Sequence, residues 1–170
     1  MNDELGEHRA RLAQAFDLGF TLPFSSERPE LRDFLLLRFG THRYAAPVQE
    51  LAGVQNKRNI QYLPDAPRHC LGLAGVRSRV AAIYDLGGLL GSPASERLIW
   101  FLQTRLDPDI ALLAPKPYRY LRVPVDRIVP CTESDGATVG ALEDEDAGIN
   151  VLSVDRLSEA IRRSCGGGVP

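Results

Sequence analysis

Three observations on the sequence predict an all-β fold of the barrel type. About eight to ten short apolar segments recur along the chain, at the spacing typical of small barrels. Turn residues separate these segments, and strands do not alternate with long helices as they would in a parallel α/β sheet. Helical patterns occur near the two ends and, over a short stretch, at residues 67–76. The 170 residues suffice for one domain, or for two small barrels that share a core.

The N-terminal region predicts a thin amphipathic helix followed by an extended arm. Charged and apolar residues alternate with helical spacing over residues 3–16. Five large apolar residues then occupy every second position, which places them on one side of an extended segment: Phe16, Leu18, Phe20, Leu22 and Phe24. An apolar strip of this size is expected to be buried, either against the chain's own barrel or against a partner protein.

A hairpin and a helix are predicted next. Residues 34–39 are apolar enough for a strand buried on both faces, and residues 40–42 turn the chain into a second strand. Pro47 indicates an edge or a bulge before an apolar stretch that ends at Val54. Residues 67–76 predict a short helix with its first turn at a proline.

The second half of the chain predicts further strands. Residues 80–84 form a strand that Asp85 ends, by capping the following turn with its carboxylate. The segments 98–102 and 110–114 predict a hairpin. Residues 118–123 are extended, residues 139–142 pair with 149–154, and Asp155 caps a final helix that ends near residue 163.

Composition and charge exclude several classes of function. The net charge of −2 and the pI near 5.9 provide no field that attracts nucleic acid, and residues 118–122 are the one basic and aromatic stretch. No apolar run approaches the roughly 20 residues of a membrane helix, so direct membrane insertion is not expected. The N-terminus has no signal-sequence pattern, which predicts a cytoplasmic protein.

The sequence predicts no metal, no cofactor and no catalytic residues. The three cysteines are far apart and indicate reduced thiols in place of a disulfide framework or a zinc site: Cys70, Cys131 and Cys165. The three histidines are predicted on surface helices or loops, away from a nucleophile and carboxylate: His8, His42 and His69. The pair His69 and Cys70 supplies two ligands where a metal needs three or four.

One motif carries a family resemblance. Its five residues stand in the arrangement P-x4-G-x4-R-x7-D-L: Pro67, Gly72, Arg77, Asp85 and Leu86. This pattern resembles the CheW-like domain, and residues 34–44 look like that family's opening hairpin. The likeness continues through residues 110–130 and 139–157. The chain is therefore similar to a divergent member of the CheW-like family over residues 34–157.

The resemblance implies two small five-stranded β-barrels that share a core, with short N- and C-terminal helices. It places the CheW-like domain at residues 34–164, after an arm of residues 1–33 and before a tail of residues 165–170. It also implies a non-catalytic adaptor in bacterial chemotaxis or motility signalling. Such an adaptor couples methyl-accepting chemoreceptors to a CheA-type histidine kinase, in the cytoplasm and at membrane-bound receptor arrays.

The resemblance further implies a partner-binding groove between the barrels, formed by Leu51, Gly53, Val54, Val76 and Arg77. Members of the family carry an acidic residue at the position of Gly53, so Arg77 loses its expected partner. Three outcomes remain open for Arg77: pairing with Glu50, solvation, or a carboxylate on a partner protein. An Arg beside apolar side chains is also the composition of an interface hot spot.

Two other functions stay open at this point. The family's Asn-Leu-Arg-Gly is replaced by residues 75–78, and its mid-strand proline by Ala82. The apolar positions persist, so the fold prediction stands while the partners do not follow from it. One alternative is a CheW-like scaffold that recruits a dedicated partner other than a kinase. The other is a small enzyme that uses Cys70 or His69 on a barrel rim.

Overall fold

The computed structural model of the chain describes residues 29–92, 98–131, 136–144 and 147–166. Within these ranges the protein is built mainly of strands, which confirms the predicted all-β class. The strands are β1 (Leu31–Phe39), β2 (His42–Pro47), β3 (Leu51–Asn56), β4 (Cys70–Val76), β5 (Arg79–Asp85), β6 (Trp100–Thr104), β7 (Ile110–Ala114), β8 (Arg119–Pro124), β9 (Val129–Pro130), β10 (Thr138–Asp144) and β11 (Ala147–Leu152). The helices are α1 (Leu86–Leu89) and α2 (Val154–Gly166), and two 3-10 turns cover Val48–Glu50 and Val125–Arg127.

The strands form two sheets. Sheet 1 has six strands in the order β8-β1-β2-β11-β10-β9, and sheet 2 has five in the order β3-β6-β7-β5-β4. Each sheet has one parallel pair, β11 with β2 and β5 with β7, among otherwise antiparallel neighbours. The two-residue strand β9 is the member of sheet 1 that the sequence did not predict. The three predicted hairpins are confirmed as β1 with β2, β6 with β7, and β10 with β11.

One apolar core joins the two sheets. It contains side chains of sheet 1 such as Leu37 and Phe39, side chains of sheet 2 such as Leu102 and Leu112, and Ile161 of α2. Each sheet also encloses a smaller core of its own. Alternate side chains of β1 and of β7 enter different cores, because successive residues of a strand point to opposite faces. This explains why both strands are nearly continuous apolar runs.

The helix predicted over residues 67–76 is wrong, because strand β4 occupies this segment. Backbone pairing with β5 runs from Cys70 opposite Tyr84 to the turn after Val76. Gly72 has a φ of 128°, and a Cβ there would collide with the carbonyl of Gln61. Tertiary pairing with β5 and this close backbone approach therefore outweigh the local helical pattern.

Two smaller predictions also need correction. A 3-10 turn occupies Val48–Glu50, so the stretch from Val48 to Val54 that was expected to be extended throughout is extended only from Leu51. The cap of α2 is Ser153 and not Asp155, since Ser153 Oγ accepts a hydrogen bond from Arg156 N at 3.2 Å. The predicted cap at Asp85 is confirmed, because its carboxylate accepts from Gly87 N at 3.0 Å at the start of α1.

Several predictions fall on residues outside the described ranges. They concern the N-terminal helix, the apolar strip of residues 16–24, and the chain after Gly166. Strand β1 begins at Leu31, before the predicted domain boundary at residue 34. Among the helices that the structure describes, none has the length and apolarity needed to span a bilayer.

Candidate functional site

An apolar groove lies at the junction of the two sheets and has a volume of about 410 Å³. Sheet 1 contributes β1, β8 and the 3-10 turn after β2, and sheet 2 contributes β3 and β6. The side chains that line this inter-sheet groove are Leu35, Val48, Val54, Trp100, Lys116, Pro117 and Tyr120. Lys116 is the charged member of the set, so the groove offers an apolar floor with a cation at its margin.

Strand pairing brings the lining side chains together. Leu35 on β1 lies opposite Tyr120 on β8, so both point to the same face of sheet 1. Val54 on β3 lies opposite Leu102 on β6, and Trp100 shares the face of Leu102 two residues earlier. Leu102 is fully buried in the shared core, whereas Trp100 is half-buried and reaches the groove. The groove is thus the surface continuation of that core.

Hydrogen bonds fix the rim of the groove at Tyr120, whose side chain is 52% exposed. Arg122 Nε donates to Asp33 Oδ1 at 2.6 Å, and Arg122 Nη2 donates to Asp33 Oδ2 at 3.1 Å. Arg122 Nη2 also lies 3.2 Å from the hydroxyl oxygen of Tyr120. These charge-assisted hydrogen bonds orient the side chain of Tyr120 on the edge strand β8.

The rim network also perturbs titration. The hydrogen bond from Arg122 holds the pKa of Asp33 below its ordinary value of 3.8. The hydrogen bond with Asp33 raises the pKa of Tyr120 and is the main cause of the raised pKa of Arg122. Asp33 and Arg122 are therefore both charged at neutral pH while Tyr120 is protonated. Because these groups are exposed, the network orients Tyr120 more than it stabilises the fold.

Arg77 lies on the side of β3 that faces away from the inter-sheet groove, with its guanidinium against Gly53. Its Nη1 donates to the carbonyl of Ala52 at 2.8 Å, and its backbone N donates to Gln55 Oε1 at 3.1 Å. Ala52 lies where the register of β3 against β6 shifts, between Leu51 and Gly53. A Cβ at Gly53 would come within 2.9 Å of Arg77 Cζ. Glycine is what allows the guanidinium to lie against the strand.

The five residues predicted for the groove between the barrels divide into two groups. Leu51 and Val76 are buried, Leu51 in the shared core and Val76 in the core of sheet 2. Gly53, Val54 and Arg77 reach the surface, but Val54 points into the inter-sheet groove while Gly53 and Arg77 meet on the opposite side of β3. One of the three outcomes left open for Arg77 was pairing with Glu50, and the structure does not show this pairing.

Glu50 is engaged at the start of α2. Its Oε2 accepts from Asp155 N at 3.0 Å and lies 3.5 Å from Ser153 Oγ. Desolvation raises the pKa of Glu50 above its ordinary value of 4.5, although these hydrogen bonds oppose the shift. The carboxylate is therefore part of the cap of α2 and turned away from Arg77.

Sequence reasoning missed most of the groove's lining. Leu35 was hidden in a run of four apolar residues, and Tyr120 belongs to a stretch that was weighed only for nucleic-acid binding. Trp100 was assigned to a buried strand. A signal that could have found the groove is the large aromatic residue Trp100 at the very start of a strand, together with the tyrosine Tyr120 in a later strand.

A second cleft, of about 550 Å³, lies between α2 and sheet 2. His69, Tyr84 and Ser164 contribute to its lining, and Tyr84 is buried in the shared core. The Tyr84 hydroxyl lies 3.1 Å from the thiol of Cys165. Within the described residues, no cluster of three or more His, Cys, Asp or Glu side chains is arranged to hold a metal ion.

Known proteins share the fold. Among solved structures, the chain is similar to the scaffolding protein TtCheW from Thermoanaerobacter tengcongensis, with a TM-score of 0.65 and 12% sequence identity. The superposition covers 76% of this chain and 88% of that chain. At this identity the likeness bears on the fold alone. No curated protein matches the sequence.

The family match extends over most of the chain. The family model of the CheW-like domain matches residues 33–162, which include both sheets, the inter-sheet groove and most of α2. This match confirms the resemblance that the P-x4-G-x4-R-x7-D-L motif indicated. The chain belongs to the CheW-like domain family.

Proposed function

We propose that the chain is a non-catalytic adaptor in bacterial chemotaxis or motility signalling, coupling a methyl-accepting chemoreceptor to a CheA-type histidine kinase. Its place of action is the cytoplasm, at the receptor array. Membership of the CheW-like family supports the adaptor role. The observation that carries the proposal is the inter-sheet groove, an apolar surface that opens to solvent and lies at the junction of both sheets.

The chemistry of the groove suits an amphipathic helix. Helices dock in apolar grooves through side chains spaced three or four residues apart, and aromatic residues supply much of the contact. Trp100 and Tyr120 provide aromatic contacts from opposite sheets, with Val54 between them. Lys116 at the margin favours a helix that carries an acidic residue beside its apolar stripe. The helical tip of a chemoreceptor is an occupant of this kind.

A matched pair of valine variants tests the proposal. Val54→Glu introduces a charge into the groove at a side chain that is 37% exposed. Val129→Glu makes the same change at a side chain that is 60% exposed on β9, at the edge of sheet 1 opposite to β8. Binding is measured by calorimetric titration with the cytoplasmic fragment of a chemoreceptor and with a CheA-type kinase of the same organism.

We expect Val54→Glu to weaken receptor binding by at least about 10-fold, or about 1.4 kcal/mol, because it desolvates a carboxylate among the apolar side chains of the interface. Val129→Glu should bind like the unmodified chain. Equal affinities for the two variants would contradict docking in the groove. Binding of the unmodified chain to neither protein would refute the coupling role.

One observation favours a second candidate, a CheW-like scaffold for a dedicated partner other than a kinase. Gly53 stands where the family resemblance implies an acidic residue, and Arg77 covers this position and donates to the carbonyl of Ala52. The surface beside β3 is therefore basic where an acidic side chain is expected. A chain that binds neither receptor nor kinase, but retains its fold, would favour this candidate.

A further inference from the structure

We propose that the second cleft, between α2 and sheet 2, binds a small amphipathic anion: a hydrocarbon chain that ends in a carboxylate, as in a medium-chain fatty acid. The cleft has a volume of about 550 Å³, and small-molecule pockets in proteins measure roughly 300–1,000 Å³. Its lining shares no residue with the inter-sheet groove. The site therefore does not depend on the adaptor role.

The floor of the cleft is apolar. Leu157 and Ile161 of α2 lie one helical turn apart, so both side chains are on the same face of the helix. Leu89 of α1 and Ala137, just before β10, complete the apolar part of the lining. All four belong to the shared core or pack against it. A hydrocarbon chain in the cleft would extend this core and leave water, which is the main source of affinity for such a ligand.

Basic side chains line the margin of the cleft. Arg68 precedes β4, and Arg156 lies in the first turn of α2. Neither guanidinium has an ion pair or a hydrogen bond within the part of the chain that the structure describes. None of the described residues in the lining is acidic. The cleft is thus complementary in charge to an anion, and guanidinium groups pair well with carboxylates through two parallel hydrogen bonds.

The backbone holds a third nitrogen-bearing side chain, His69, in the lining. Cys70 N donates to Pro67 O at 2.9 Å and closes a turn in which His69 has a φ of 65°. Glycine is the usual residue where a turn requires a positive φ. Gly88 leaves space for the ring, because a Cβ there would lie 2.5 Å from His69 Nδ1. Strained residues of this kind cluster at ligand sites, and an imidazole offers an N–H donor whether or not it is charged.

Binding of decanoate to the full chain tests the proposal. Decanoate, decanol and acetate are each titrated at neutral pH, below the concentrations at which the alkyl chains aggregate, and followed by calorimetry. We expect decanoate to bind at one site per chain, decanol to bind ~10-fold more weakly without the charge, and acetate to show no binding without the chain. Absence of saturable decanoate binding, or equal affinities for decanoate and decanol, would overturn the proposal.

Arginine variants test the charged margin. Arg68→Ala and Arg156→Ala change exposed residues, and each should weaken decanoate binding by ~10-fold while decanol binding stays the same. Arg162→Ala is the matched control on α2, because its side chain is 62% exposed and pairs with Asp107 outside the cleft. It should bind decanoate like the unmodified chain. An equal loss in Arg162→Ala and Arg156→Ala would mean that general surface charge attracts the anion, which would refute the site.

A filled cleft tests the location. Ala160 is an exposed residue of α2 that lines the cleft, so Ala160→Phe places a ring in the space that the ligand would occupy. We expect this variant to lose binding of both decanoate and decanol, while its circular dichroism spectrum and urea midpoint stay those of the unmodified chain. Decanoate binding that survives in Ala160→Phe would place the ligand elsewhere and contradict the proposal.

Discussion

Gly53 and Arg77 are coupled, because the guanidinium lies where a side chain at position 53 would begin. Glycine in a strand costs about 0.5–1 kcal/mol relative to alanine, so Gly53→Ala alone would normally stabilise the chain. Here the new methyl group would displace the guanidinium from the Ala52 carbonyl. We therefore expect Gly53→Ala to be more favourable for stability in an Arg77→Ala background than in the unmodified chain.

A double-mutant cycle measures this coupling. The four proteins are the unmodified chain, the two single variants and the double variant, compared by urea unfolding. An interaction energy of about 0.5–1 kcal/mol between the two positions is the expected result. Identical effects of Gly53→Ala in both backgrounds would mean that Arg77 does not rest on β3. That outcome would leave Arg77 as a solvated side chain available to a partner.

At the scale of elements, the start of α2 contains two carboxylates whose pKa values are raised. Desolvation is the main cause for both Glu50 and Asp155. A raised folded-state pKa means that the acid contributes most stability when it is protonated. The contribution is therefore present below the ordinary pKa, 4.5 for Glu50, and is lost as pH rises through the folded-state value.

Two substitutions at Glu50 separate its charge from its hydrogen bond. Glu50→Gln keeps an acceptor for Asp155 N but cannot ionise, so its stability relative to the unmodified chain should increase as pH rises through the folded-state pKa. Glu50→Ala removes the acceptor and should be less stable than Glu50→Gln at every pH. Urea unfolding across this pH range tests both. A Glu50→Gln profile parallel to that of the unmodified chain would contradict the pKa shift.

The sequence could predict the elements whose patterns are produced by local chemistry. The dense apolar runs of β1 and β7 indicate burial on both faces, and the hairpin turns follow from residues such as Gly40 and Pro108. Strand β4 could not be predicted, because its conformation depends on β5 and on the approach of Gln61 to Gly72. Its residues on their own fit a helical pattern.

The candidate site was less predictable than the fold. Val54 was predicted for the groove, but its companions come from both sheets, and their proximity depends on strand register. Leu35 meets Tyr120 only because β8 pairs with β1. Leu51 and Val76 are apolar, as interface residues often are. The structure nevertheless buries Leu51 in the shared core and Val76 in the core of sheet 2. Apolar residues alone do not distinguish a groove from a core.

At the scale of the whole molecule, the shared core joins the two sheets, and we expect them to unfold as one cooperative unit. Leu36 is fully buried in the core that belongs to sheet 1, and Leu112 is fully buried in the shared core. The single tryptophan, Trp100, lies in sheet 2 and reports on it by fluorescence. Far-UV circular dichroism reports on both sheets together. These two probes can therefore detect whether sheet 2 unfolds when sheet 1 is weakened.

We expect Leu36→Ala to destabilise the chain by about 2–5 kcal/mol through lost burial and a cavity. The Trp100 fluorescence transition in urea should shift as far as the circular dichroism transition, although Leu36 touches only the core of sheet 1. Leu112→Ala is the matched substitution in the shared core. It should also shift the fluorescence and dichroism transitions by equal amounts. If Leu36→Ala shifts the dichroism transition but leaves Trp100 fluorescence where it was, the sheets unfold separately and the shared core does not couple them.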